Sequence, residues 1–190
     1  MRPSHRSGKL ALVFAALALA AAQPSVALGE ERTCRGTIGA TTVDNVRVPD
    51  NATCTLDGTY VKGTIKVESN AVLLASRVRV VGNVQAENAR KVVVASSSRV
   101  GGSIQVVQSS VAKVRDSRIN GNILVDDNAG KNVIRRNIVG GDVQAFQNSG
   151  GVSIYDNRID GNLQCKANRP SPVGGGNIVQ GNKEDQCRSF

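Results

Sequence analysis

Two carboxylates and one column of guanidiniums carry the chemistry available to this 190-residue chain. Glu68 and Glu87 stand one sequence period apart, and Asp126 falls two periods beyond Glu87 in the same register. Stacked on adjacent strands, such a glutamate pair could share a proton as general acid and base, or hold Ca²⁺. Val107 occupies the register between Glu87 and Asp126 and breaks any three-carboxylate cluster. A solvated face, with Lys66 offsetting the charge, accounts for the same pair. Arg79, Arg99, Arg118 and Arg158 share another register, interrupted by Ile138. Beside them run Arg77, Ser97, Asp116, Arg136 and Asp156, in which Asp116, Arg136 and Asp156 alternate in sign and read as a self-neutralising ladder. The arginines themselves repel when stacked, and either aspartate neighbours or an external polyanion can answer that repulsion.

Residues that the sequence lacks narrow the choice further. Met1 to Lys9 carries Arg2, Arg6 and Lys9 without an acid, and an apolar run from Leu10 to Ala22 leads to Ser25-Val26-Ala27. This is the pattern of a secretory signal over residues 1–27, with Ala22 as a second cleavage position. The apolar run is shorter than the roughly 20 residues of a membrane-spanning helix. Cleavage removes three of the 24 basic residues and none of the 15 acidic ones, so the net charge falls from +9 to +6. It also removes His5, the only histidine. A chain without histidine can build no histidine triad, His-ligated zinc site or imidazole base. No cofactor and no metal site is expected, since the Ca²⁺-binding nonapeptide is absent as well. Aromatics reduce to Tyr60, Phe146, Tyr155 and Phe190. Nucleic acid and neutral sugars are thereby disfavoured as partners, because both are commonly held by stacking.

The element that must position these residues is a repeat. Gly63-Thr64-Ile65, Gly82-Asn83-Val84, Gly102-Ser103-Ile104, Gly121-Asn122-Ile123, Gly141-Asp142-Val143, Gly161-Asn162-Leu163 and Gly181-Asn182-Lys183 recur at intervals of 19 or 20 residues. Each glycine opens a stretch with period-two alternation, as in Ile65/Val67 against Lys66/Glu68. A second apolar pair follows mid-unit, such as Val92/Val94, and a third apolar position closes each unit, such as Val80 or Ile119. Three short strands per unit predict an all-β fold, a single right-handed parallel β-helix of about seven coils stacked about 4.8 Å apart. Its expected extent is 54–187, after an N-terminal cap over 28–53 and before a tail at 188–190. The segment 169–176, rich in proline and glycine, is expected to replace one strand by a loop near the C-terminal end. Asn70, Ser109, Asn128, Asn148 and Asn168 are expected to stack at one corner, and Ser98, Ser117, Asn137, Asn157 and Asn177 at another, because asparagine tolerates left-handed backbone and its amide can reach the next coil.

The repeat also sorts the four cysteines. Cys34 and Cys54 lie 20 residues apart and Cys165 and Cys187 lie 22 apart, close to one coil in each case. Both pairs are expected as disulfides stapling the two ends, each contributing roughly 3 kcal/mol in the chain-entropy model.

The coil pattern resembles the pectin-lyase-like, right-handed β-helix superfamily over about residues 54–187. Within it, the tail from Gly161-Asn162-Leu163-Gln164-Cys165 through Gly174-Gly175-Gly176-Asn177 to Gly181-Asn182-Lys183-Glu184-Asp185-Gln186-Cys187 is most similar to short secreted bacterial β-helix proteins. The resemblance implies the fold and no activity. The expectation is an exported, non-enzymatic structural or binding module, secreted or periplasmic, with the Arg column meeting an acidic glycan or envelope polymer, or with a protein as partner. The alternative is a small polysaccharide lyase or hydrolase acting through Glu68 and Glu87.

Overall fold

A computed structural model describes residues 29–190, and the expected signal segment 1–27 lies outside them. Among the described residues every regular element is a strand, and every strand pairing is parallel. Three sheets run the length of a parallel β-solenoid of about seven turns. The first has nine strands, from Glu31–Thr33 to Lys183–Asp185; the second has eight, from Thr37–Ile38 to Val173–Gly175; the third has eight, from Thr42–Val43 to Ile178–Val179. Successive coils pair in strict register, so Val84 faces Ile65 and Ile104, and Arg99 faces Arg79 and Arg118.

The period-two alternation explains the core. In each coil the inward residues of the first and second sheets close on the single inward residue of the third. Ile104, Val106, Ala112, Val114 and Ile119 form one such layer, each at most 1% exposed. Val, Ile, Leu and Ala fill the interior because β-branched side chains pack well on a pleated surface. The disulfides join Cys34 to Cys54 and Cys165 to Cys187, with Cα separations of 5.5 and 5.3 Å, and all four cysteines are buried.

The corners are built from three hydrogen-bonded ladders of buried or half-buried side chains. In one, the backbone N–H of Ser109 donates to Asn128 Oδ1, Asn128 to Asn148, Asn148 to Asn168, and Asn168 to Gln186 Oε1, at 2.8 to 3.1 Å. In another, Ser117, Asn137 and Asn157 donate in turn to the Oδ1 of Asn137, Asn157 and Asn177. Each asparagine Nδ2 also donates to a carbonyl of the preceding coil, as Asn157 does to Ile134 O at 3.0 Å. Main-chain groups where strand pairing breaks are thereby satisfied inside the core.

Two details of the corners differ from expectation. Asn70 is not in its ladder: Ala71 holds that place, fully buried, and Asn70 sits exposed beside Asn88 with its N–H on Asn88 O. The left-handed residue is also not the ladder asparagine but the one before it. Gln108, Asp127, Gln147 and Ala167 precede the first ladder, and Asp116, Arg136 and Asp156 the second, all with φ between 49° and 58°. The chain turns on the exposed residue and then drops the amide into the core.

The third ladder is not legible as one in the sequence. Thr64, Asn83, Ser103, Asn122, Asp142, Asn162 and Asn182 donate their N–H to the side-chain oxygens of Asn45, Thr64, Asn83, Ser103, Asn122, Asp142 and Asn162. It runs opposite to the other two, from each coil back to the one before. This explains the repeating glycine, since a Cβ at Gly82 would lie 2.6 Å from Thr64 Oγ1. The glycine makes room for the ladder side chain of the preceding coil.

Both ends also depart from the sequence reading. The segment expected as a cap over 28–53 is itself a coil, because Glu31–Thr33, Thr37–Ile38 and Thr42–Val43 pair with the strands that follow. The loop segment 169–176 keeps its strand: Val173, Gly174 and Gly175 pair with Ser153, Ile154 and Tyr155. The glycines serve packing, as Phe190 folds back against Gly174 and onto the end of the core. The C-terminal tail therefore closes the solenoid.

Asn157→Ala is expected to cost about 1–3 kcal/mol for the stranded Asn137 N–H alone. Asn120→Ala on the exposed surface should stay within about 0.5 kcal/mol. Urea denaturation of the two variants measures the difference.

Candidate functional site

The outer face of the first sheet holds the carboxylates. Glu68, Glu87, Val107, Asp126, Phe146 and Lys166 stack in that order, as the strand register places them. Glu68 is engaged by Arg47 at 3.4 Å and by Lys66 at 3.6 Å, so its charge is met by two neighbours. Arg47, which also pairs with Glu31 at 3.0 Å, lies on Asn45–Val48, within the segment 28–53 expected as a cap, and it escapes the sequence reading for this reason. Glu87 is exposed and borders a shallow groove of about 420 Å³ with Lys66, Gln85, Gln105 and Val107. Asp126 lies between Val107 and Phe146, and its Oδ1 is buried without a hydrogen-bond partner. Burial first, and the adjacent Asp127 charge second, raise its pKa above the ordinary value. Among the described residues, no group of three or more His, Cys, Asp or Glu side chains is arranged to hold a metal ion.

The outer face of the third sheet carries the arginines. Thr42, Tyr60, Arg79, Arg99, Arg118, Ile138, Arg158 and Ile178 form one column in register. Three arginines thus occupy consecutive coils about 4.8 Å apart. Their surroundings differ. Arg79 lies over the Tyr60 ring, 5.1 Å from its centroid, a cation–π contact. Arg158 has Asp160 at 3.7 Å. Arg99 and Arg118 have no acidic partner within 4 Å among the described residues.

The neighbouring corner is neutralised only in part as the sign alternation suggests. Arg136 makes a two-pronged contact with Asp116, Nε to Oδ1 at 2.6 Å and Nη2 to Oδ2 at 3.1 Å. These hydrogen bonds hold the Asp116 carboxyl below its ordinary pKa. Asp156, however, accepts from Arg135 at 3.3 Å rather than from Arg136, and Arg77 pairs with Asp57. The aspartates are therefore engaged on the second sheet and its corner, and leave the Arg99–Arg118 step uncompensated.

Comparison of the chain with family models, with curated proteins and with solved structures finds no match in any of the three. What the geometry defines is a class, a disulfide-bridged parallel β-solenoid. Two disulfides and no free cysteine among the described residues fit folding in an oxidising, extracellular type of environment.

Asp126→Asn should stabilise the protein at neutral pH. A carboxyl whose folded-state pKa is raised contributes stability when protonated, and loses it as pH rises through that pKa. The advantage of the Asp126→Asn variant over the native protein should therefore shrink on acidification into the carboxyl range, as thermal melts at pH 7 and pH 4 will test.

Proposed function

We propose that this protein is an exported, non-enzymatic β-solenoid that binds acidic polymers through the arginine column of its third sheet. The observation that carries the reading is the Arg99–Arg118 step, two guanidiniums directly opposite on paired strands with no acid to offset them. Like charges in that position destabilise a sheet. An external anion removes the penalty and gains charge-assisted hydrogen bonds. The rest of the solenoid acts as a rigid ruler, because strict register and disulfides at both ends hold the column in line.

The alternative, a polysaccharide lyase or hydrolase using Glu68 and Glu87, gains less support. Glu68 is occupied by Arg47 and Lys66, and the groove beside Glu87 is shallow and open. A paired acid and base needs both carboxylates presented to one substrate.

Retention of the purified protein on immobilised acidic and neutral polymers, at low and high salt, tests the proposal. Acidic polymers should retain it and lose it as salt screens the contact. Arg99→Ala/Arg118→Ala should weaken binding at low salt by about tenfold for each arginine removed. Equal retention on neutral polymers, or an unchanged double variant, would overturn it; unsaturated product released from an acidic glycan and lost in Glu87→Gln would establish the lyase instead.

A further inference from the structure

Arg99 and Arg118 border the same depression. It is about 340 Å³ in volume, and its rim includes Ser97, Asp116, Arg136 and Ile138. Most polar groups there are already committed. Asp116 is held by both prongs of Arg136. The Ser98 hydroxyl donates to Ala95 O at 2.6 Å and accepts the Val78 N–H at 3.2 Å, and the Ser117 hydroxyl donates to Arg115 O at 2.8 Å. Three donors remain without a partner among the described residues: the two guanidiniums and the exposed hydroxyl of Ser97.

A second observation singles out the same corner. Along this edge the chain turns on one left-handed residue per coil, Arg77 below and Asp116 above. Here it turns on two in succession, Ser96 at φ 58° and Ser97 at φ 63°. Nowhere else among the described residues do two non-glycine residues with positive φ follow one another. Backbone in this region is strained for L-residues, and such strain concentrates at ligand-binding positions. The additional residue sets Ser97 on the rim of the depression that Arg99 and Arg118 share.

We propose that this depression is a subsite for a tetrahedral oxyanion, the phosphate or sulfate group of a polymer, held between the Arg99 and Arg118 forks with the Ser97 hydroxyl as a third donor. The proposal rests on the polymer-binding reading above and narrows it to one chemical group. A guanidinium offers a planar fork of N–H donors. A carboxylate presents its acceptor sites in one plane and is satisfied by a single fork, edge to edge. A phosphate or sulfate monoester carries three terminal oxygens, and a phosphate within a polyphosphate chain carries two, arranged tetrahedrally and so not confined to one plane. It can therefore meet two forks on adjacent coils and a hydroxyl at the corner together. Lysine could supply the charge at these positions but not the fork.

Titration calorimetry of the purified, disulfide-intact protein with polyphosphate, dextran sulfate and polygalacturonate at matched ionic strength decides the matter. Polyphosphate or dextran sulfate should bind about tenfold more tightly per anionic group than polygalacturonate. Stronger binding of one of the first two names the group. Arg99→Lys/Arg118→Lys should keep salt-sensitive binding but lose the preference. Ser97→Ala should reduce the preference, and Arg90→Ala, at an exposed position outside the column, should leave it intact. Circular dichroism melts establish that each variant is folded. Equal affinity for all three polymers, or a preference that survives in the double lysine variant, would overturn the subsite while leaving the polymer-binding reading standing. No binding to any of the three would overturn both.

Discussion

The structure depends on satisfying main-chain groups at the corners of a stacked coil. Parallel strands pair along the three faces, but between them the chain must turn every few residues while remaining part of the core. Unpaired N–H and C=O groups there would each cost as much as a broken hydrogen bond. The three ladders meet that demand. Asn137, Asn157 and Asn177 each supply an acceptor to the coil before and a donor to its carbonyl, entirely within the interior. An amide does both jobs at once; Ser109 accepts the Ala89 N–H but turns its own donor to Val107 O within its coil, and alanine stands at Ala89 where the Ala71 N–H is met by Glu68 O instead.

Other features follow from this constraint. Because the ladder residue points inward, the turn falls on the residue before it, which adopts positive φ whatever its type. Because the third ladder rises against the preceding coil, the repeat needs glycine at one fixed position. Because both rules act in each coil from Gly63 onward, register is held, and residues 19 or 20 apart are brought into line on the surface. The arginine column is a consequence of that alignment, not a separate device.

Alignment also turns small sequence differences into chemical ones. Four arginines share a register, yet Tyr60 takes up one, Asp160 accompanies another, and the middle two face each other without an acid. The carboxylate face behaves in the opposite way. Glu68 is surrounded by cations, and Asp126, placed between Val107 and Phe146, is left with a buried oxygen and a raised pKa. The uncompensated positive charge and the unpartnered serine hydroxyl therefore gather at one corner.

From the sequence alone, the coil length, the inward residues, both disulfide pairings and the register of the arginine column could be read. Period-two alternation and a 19–20 residue repeat are local properties of the chain. What depended on tertiary structure was everything set by contact between coils. Ala71 and Asn70 look interchangeable in a pattern, and only packing decides which one enters the core. Neither the first coil nor Asn45–Val48, the strand that opens the second, carries the repeat's glycine triplet, so these strands, and with them Arg47 beside Glu68, became visible only through their pairing with neighbouring coils. The division of labour among the arginines was equally hidden, because it rests on which acid reaches which guanidinium across a corner, and distances of that kind are not written in the order of residues.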